Sequence, residues 1–101
     1  MKNVKITRQR ITEVTLNTRM IADGELDVPA EVRRSAIDDD DYRYPWERGW
    51  SVESTEILAR YQDPRNDTLP EAAQHNRMTK IQVLVTESKT VRVPEKTQEH
   101  Q

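Results

Sequence analysis

Alternation of apolar and polar residues dominates the first part of the chain. The apolar residues on even positions are Val4, Ile6, Val14, Leu16 and Met20. A period of two is typical of a β-strand with one buried face. Ile11 breaks the alternation, and Arg8 and Arg10 occupy apolar positions. We therefore predict two strands, about 3–9 and 11–22, joined by a bulge or tight turn. A single long bent strand is the alternative, because no Gly, Pro or Asn marks a turn there.

Apolar residues spaced by four positions follow an Asp-Gly turn signal. The apolar positions with this spacing are Val28, Val32 and Ala36. They form the narrow stripe of a short helix. Asp27 can accept hydrogen bonds from the first free N–H groups, and Pro29 is tolerated in a first turn. We predict that the helix ends near Asp38, because the four aspartates 38–41 oppose the helix macrodipole and repel one another.

Residues 51–61 fit either a strand or a helix. As a strand, the segment would share one face among Thr55, Ile57, Ala59 and Tyr61. We favour the strand, because Thr and Val lie among the alternating positions and a sheet needs a central strand. Residues 63–67 read as a loop. The Thr68–Glu71 capping box then predicts a short helix that ends at about Asn76.

Residues 78–93 alternate again and predict a hairpin. Its turn would be Glu87-Ser88-Lys89, its return strand would run from Thr90 to Val93, and Pro94 would end it. The predicted fold is a small α+β domain over residues 1–94, with an antiparallel sheet of four or five strands and one or two short helices on one face. Residues 95–101 are predicted to be a disordered tail. A last strand at a sheet edge would favour a homodimer.

Composition limits the function classes. Hydrophobic and charged residues each make up 34% of 101 residues, which leaves material for a small core and disfavours a deeply buried active site. The absence of Cys excludes disulfides and thiolate zinc sites. No signal-like run and no stretch of the ~18 apolar residues that a membrane helix needs is present. We expect a cytoplasmic protein without a membrane partner.

All five aromatic residues lie within residues 42–61, directly behind the four aspartates. We predict that Trp50 packs on the sheet as an anchor, because it adjoins a regular element. The rest of the segment is rich in the residue types that dominate protein interfaces. The predicted partner-binding residues are Asp39, Asp40, Asp41, Tyr42, Tyr44, Trp46 and Arg48. Their partner would be a protein that is basic at its rim and apolar at its centre.

Charge is segregated along the chain and gives an alternative function. Residues 1–22 carry five Lys/Arg against one Glu, whereas residues 23–41 carry eight Asp/Glu against two Arg. A nucleic-acid-associated protein could use the basic residues Lys5, Arg8, Arg10 and Arg19. Pairing of Arg8 and Arg10 with the acidic stretch 23–41 is the competing interpretation. A variant of the alternative is an acidic mimic of nucleic acid that acts as a mobile-element inhibitor.

No catalytic or metal-binding constellation is evident. Counting an EF-hand from Asp38 or Asp39 puts neither the required Gly at the sixth position nor Glu at the twelfth. His75 and His100 have no neighbouring ligand or nucleophile. We predict no catalytic residues, no metal and no cofactor. The expected function is a non-enzymatic protein-interaction module or a small accessory or inhibitor protein, of the kind found in phages and mobile elements.

Overall fold

The structure is a computed structural model that describes residues 1–38, 44 and 49–95. In chain order it contains β1 (Lys2–Asn17), α1 (Thr18–Ala22), α2 (Val28–Asp38), β2 (Ser51–Gln62), two 3₁₀ helices (Pro64–Thr68 and Glu71–Asn76) and β3 (Met78–Val93). Within these ranges, no helix is long and apolar enough to cross a membrane. The predicted tail, apart from its first residue Glu95, lies outside the described residues.

The described strands form one antiparallel sheet in the order β1-β3-β2. The α+β class is therefore as predicted, but the sheet has three strands instead of four or five. Both outer strands are antiparallel to β3 and hence parallel to each other. The connection between them must cross a face of the sheet, and it carries α2 across that face.

The first strand is continuous, so the prediction of two strands is wrong and the alternative of one long strand is confirmed. β1 pairs with β3 without a register shift, from Lys2 opposite Val93 to Asn17 opposite Met78. Residues 18–22, which were predicted as strand, form α1 instead. The helix starts there because the Asn17 side chain accepts a hydrogen bond from the Met20 N–H at 3.1 Å.

The predicted hairpin at 78–93 is also wrong, because this stretch is the single central strand β3. Glu87, Ser88 and Lys89 have negative φ and do not turn. Glu87 and Ser88 are buried, and Glu87 lies directly opposite Arg8 of β1. Because β3 is central, the predicted self-pairing of the last strand cannot occur at a sheet edge, and β1 and β2 form the edges.

Helix α2 agrees with the prediction. Asp27 accepts a hydrogen bond from the Ala30 N–H at 3.2 Å. The buried residues of the helix are Val28, Val32 and Ala36, spaced by four. They pack on Val14 of β1 and on Ile81, Val83 and Val85 of β3 to form the hydrophobic core. One helical stripe on one sheet face is thus the whole fully buried apolar core among the described residues.

The strand at β2 is confirmed, but its predicted face is wrong. The pairing with β3 shifts twice, between Val52 and Ser54 and between Ile57 and Ala59. Ile57 lies opposite the buried Val83, whereas Ala59 lies opposite the exposed Gln82. Leu58 is the extra residue of this bulge, so side chains beyond it change face. Tyr61 consequently lies on the face away from α2.

The predicted capping box at Thr68 is wrong. Thr68 ends the first 3₁₀ helix, and its hydroxyl donates to the Arg65 carbonyl at 2.7 Å. The second 3₁₀ helix begins after Pro70, which makes no side-chain capping hydrogen bond. The predicted short helix up to Asn76 is present as this 3₁₀ segment.

The small core makes α2 a sensitive point for stability. Val32 is 1% exposed and Ile37 of the same helix is 49% exposed. We expect Val32→Ala to lower the free energy of unfolding by about 2 kcal/mol, because it removes buried methyl groups and leaves a cavity. Ile37→Ala, the matched control, should cost about 0.5 kcal/mol or less. Urea denaturation followed by circular dichroism measures both, and equal losses would contradict this packing.

Candidate functional site

A buried carboxylate lies where β1 passes β3 beyond the core. Glu87 is 1% exposed. Its Oε1 accepts a hydrogen bond from Arg8 Nε at 2.8 Å and another from Arg10 Nε at 3.3 Å. We call these three residues the Glu87 cluster. Charge-assisted hydrogen bonds are the interactions that offset the desolvation of a buried carboxylate.

Arg10 connects the cluster to the end of α2. Its Nη2 donates to the Ala36 carbonyl at 3.0 Å, in the last turn of the helix. The final carbonyls of a helix have no partner within the helix and carry the negative end of the macrodipole. A guanidinium at that position satisfies one of them and stabilises the helix terminus.

Arg8 connects the same cluster to the start of β2. Its guanidinium carbon lies 3.9 Å from the centroid of the Trp50 ring, within the range of a cation–π contact. Lys89 Nζ lies 5.9 Å from the same centroid. Gly49, with φ of 89°, adopts the left-handed conformation immediately before Trp50. Trp50 is half-buried. Its described ring contacts are the cationic side chains of two sheet residues, Arg8 and Lys89, and it is not part of the apolar core. Its role as an anchor stays a prediction.

The acidic–aromatic loop, residues 38–50, is therefore held at both ends by one cluster. Arg10 binds the helix that leads into the loop, and Arg8 binds the Trp at which the loop ends. Between these ends lies a cleft of about 390 Å³, lined by Ala36, Ile37 and Asp38 on one side and by Trp50, Val52 and Glu87 on the other. The lining of the cleft is mixed, with apolar side chains beside the carboxylates of Asp38 and Glu87.

Six of the seven predicted partner-binding residues lie outside the residues that the structure describes. The residues of this set that lie outside the described part of the chain are Asp39, Asp40, Asp41, Tyr42, Trp46 and Arg48. Tyr44 is described and is 63% exposed. The partner-binding assignment stays a prediction, with Tyr44 on the surface as it requires.

The structure does not bring the four predicted nucleic-acid-binding residues together. Arg8 and Arg10 lie on the face that carries α2, whereas Lys5, on the opposite face, binds Glu53 at 3.0 Å. Arg19 lies on α1, with its Nε 3.7 Å from Asp23. The carboxylate that Arg8 and Arg10 share is Glu87, in place of the expected residues 23–41. Their role in binding nucleic acid stays a prediction.

A second ionic site joins β2 to β3. Asp63 is 3% exposed and accepts hydrogen bonds from the Arg65 side chain at 2.6 Å and from the Arg65 N–H at 2.9 Å. These bonds, with Lys80 at 4.0 Å, lower the pKa of Asp63 from 3.8 to about 2. Beside it, the buried Asn66 donates to the Met78 carbonyl and accepts from the Met78 N–H, both at 2.8 Å. This site fixes the start of the central strand.

A third group lies on the sheet face away from α2. Lys80 Nζ donates to Glu13 at 2.8 Å, and the Tyr61 hydroxyl also donates to Glu13. These two bonds lower the pKa of Glu13, and the bond to Glu13 raises the pKa of Tyr61. The group crosses all three strands. Both Glu13 and Tyr61 are exposed, so its effect on stability is small.

Sequence reasoning missed the Glu87 cluster, although a signal existed. Arg8 and Arg10 occupy apolar positions in one alternating stretch, and Glu87 occupies an apolar position in another. Complementary charges on two apolar faces indicate a buried ion pair between the strands. In the described ranges, no group of three or more His, Asp or Glu side chains could hold a metal ion.

Comparisons with protein-family models, with curated proteins and with solved structures give no match.

Loss of Glu87 should destabilise the fold more than loss of an exposed glutamate. We expect Glu87→Ala to cost about 3 kcal/mol of unfolding free energy, because two arginines lose their shared buried partner. Glu53→Ala removes an exposed carboxylate from the opposite face and should cost less than about 1 kcal/mol. Denaturant titrations of both variants measure the difference. Glu87→Ala should also alter tryptophan fluorescence, since Arg8 lies against Trp50. A native-like spectrum and stability would contradict the role of the cluster.

The lowered pKa of Asp63 leads us to expect a specific dependence of stability on acid pH. Its pKa in the folded protein, about 2, lies below the ordinary value of 3.8. The carboxylate therefore stabilises the fold fully above about pH 4, and this contribution is lost as the pH falls through about 2. Asp63→Asn should flatten the decline in stability between these pH values. Arg65→Ala should remove most of the same pH dependence of stability, and the double variant should remove little more. Melting temperatures from pH 2 to 6 test this, and an unchanged acid limb in Asp63→Asn would contradict it.

Proposed function

We propose that this chain is a non-enzymatic protein-interaction module that binds its partner through the acidic–aromatic loop. The observation that carries the proposal is the attachment of both ends of the loop to the Glu87 cluster. Arg10 binds the Ala36 carbonyl before the loop and Arg8 stacks on Trp50 after it. A buried ionic cluster that connects two ends of one surface loop supports a role in holding that loop for recognition.

The chemistry of the loop defines the partner. Its run of aspartates would attract lysine and arginine side chains, and its Tyr and Trp residues are the types that contribute most binding energy in interfaces. The cleft at its base adds apolar wall area from Ala36, Trp50 and Val52. These features support a protein that is basic at the rim of its binding surface and apolar at the centre.

Attachment of both loop ends also has an energetic consequence. A segment whose ends are already fixed loses less conformational freedom on binding than a free segment does. The conformational entropy of the two ends is lost already during folding, when Arg8 and Arg10 form their contacts. Binding energy from the aromatic side chains is then available for affinity.

The nucleic-acid alternative has less support. Arg10 has a side chain that is only 19% exposed, and both Arg8 and Arg10 bind Glu87. A phosphate would have to compete with this buried carboxylate. The basic residues that remain, Lys5 and Arg19, lie on different elements and each has a carboxylate partner.

The proposal predicts that loss of the loop aromatics abolishes binding without unfolding the protein. The full chain, used as bait in extract from its host, identifies the partner, and calorimetry with that purified partner gives the Kd. We expect Tyr44→Ala with Trp46→Ala to weaken binding at least about 30-fold, as loss of an interface hot spot does. Leu58→Ala, a control at an exposed position of β2, should leave the Kd unchanged.

Two outcomes would contradict the proposal. Unchanged affinity of the loop variant would place the binding surface elsewhere on the chain. A collapse of its melting temperature would mean that these rings belong to the core. A salt-dependent mobility shift with DNA or RNA that disappears in Arg19→Ala and Lys5→Ala would favour the nucleic-acid alternative.

A further inference from the structure

The two edges of the sheet differ in regularity. β2 is interrupted by two register shifts, at Val52/Ser54 and at Ile57/Ala59. β1 runs from Lys2 to Asn17 without a shift and contains neither Gly nor Pro. Among the described residues, β1 has a strand neighbour on one side only, which is β3. Bulges and prolines are two of the features that keep sheet edges from pairing with another chain, and β1 has neither, although it carries charged side chains.

We propose that β1 pairs antiparallel with β1 of a second copy about a twofold axis at Ile11. The two three-stranded sheets would then form one continuous sheet of six strands. Such an axis stands perpendicular to the sheet, so each face of one copy continues into the same face of the other. Both copies of α2 therefore lie on one side, over the same layer of the sheet.

The side chains of β1 complement themselves in this register. Ile11 would lie opposite Ile11 of the second copy, and Ile6 opposite Leu16. Each charged residue lies opposite an uncharged one. Such pairs are Glu13 with Gln9, Arg10 with Thr12 and Arg8 with Val14. No two like charges lie directly opposite each other, and apolar cross-strand pairs stabilise a sheet. Pairing would extend over residues 5–17, up to the start of α1.

Neighbouring registers are less favourable. An axis at Arg10 places two copies of this guanidinium directly opposite each other, and an axis at Gln9 places Arg8 opposite Arg10. An axis at Thr12 places Ile11 opposite Glu13. Like charges directly opposite are destabilising, and an isoleucine beside a carboxylate gains little. The charge pattern of the strand thus selects the axis at Ile11.

The exposure of two isoleucines of β1 agrees with an axis at Ile11. Ile11 is 66% exposed and Ile6 is 38% exposed in the single chain, although both lie within a regular strand. Pairing with a second copy would cover the Ile11 side chain with its own counterpart. A foreign strand could occupy the edge as well, but only the same sequence provides this reciprocal set of opposite residues.

Cysteine crosslinking tests the register directly, because the natural chain contains no Cys. Residues opposite each other in an antiparallel pair have Cα atoms about 4.5–5.5 Å apart, which a disulfide can span. We expect the full chain with Ile11→Cys to form a covalent dimer on mild oxidation. Gln9→Cys is the matched control on the same strand face. In this register its two copies lie four residues apart, about 13 Å, and should not crosslink.

Sedimentation tests the association itself. The wild-type chain should dimerise with rising concentration, and Ile11→Lys should stay monomeric because two ammonium groups would meet at the axis. Leu58→Lys, at the exposed bulge of β2, should still dimerise. A wild-type chain that is monomeric at all concentrations would overturn the proposal, as would a dimer that tolerates Ile11→Lys. Preferential crosslinking of Gln9→Cys would overturn the register.

Discussion

A carboxylate removed from water needs partners, and this requirement at Glu87 governs much of the structure. Glu87 is 1% exposed and is bound by two arginines of the neighbouring strand. A shift of β1 by two residues would keep the alternation of faces but would move Arg8 from its place opposite Glu87. The shift that puts Ile6 opposite Glu87 weakens the pairing of this carboxylate, and the cost of a buried charge opposes it. The opposite shift would put Arg10 opposite Glu87 and would move Val14 from its place opposite Ile81. Hydrophobic alternation thus selects the face of β1, and the ion cluster and the core pairs together favour its register.

The same cluster contacts both described ends of the segment that we propose for binding. Arg10 binds the last turn of α2 and Arg8 binds Trp50, so the positions of the helix end and of the β2 start depend on one carboxylate. Among the described residues, a core of seven buried apolar side chains offers little other material to hold these ends. Electrostatic contacts therefore take a role that apolar packing has in larger domains. The stability of the fold and the positions of these two ends are coupled through this cluster.

Local patterns were sufficient for α2, gave β2 as a strand but with the wrong face, and were insufficient for the two long strands. The stripe at Val28, Val32 and Ala36 depends on neighbours in the sequence, and it was predicted correctly. The division of β1 and the hairpin in β3 share one cause, because Arg8 and Glu87 are polar at apolar positions and are 79 residues apart. In its own stretch, each of these residues looks like an interruption of the alternation. Only the pairing of β1 with β3 shows that the two charges compensate each other. The bulge at Leu58 adds one residue to the ladder, which no period of two can reveal. The cationic partner of Trp50 could not be predicted, because Arg8 lies on a distant strand.

Because β3 is the central strand, the regular edge that could pair with another chain is β1, the first strand, and not the last. A regular 16-residue strand at an edge, beside a strand interrupted by two bulges on the other edge, is an asymmetry that pairing of β1 would use. A twofold axis at Ile11 would place the two Arg8 residues about 20 Å apart along the strands, on the same face. Asp38 and Trp50, the described ends of the acidic–aromatic segment, would then lie on the side that carries α2 in both copies. A partner with two basic surfaces could bind both loops at once, and the second contact would benefit from the proximity that the first provides.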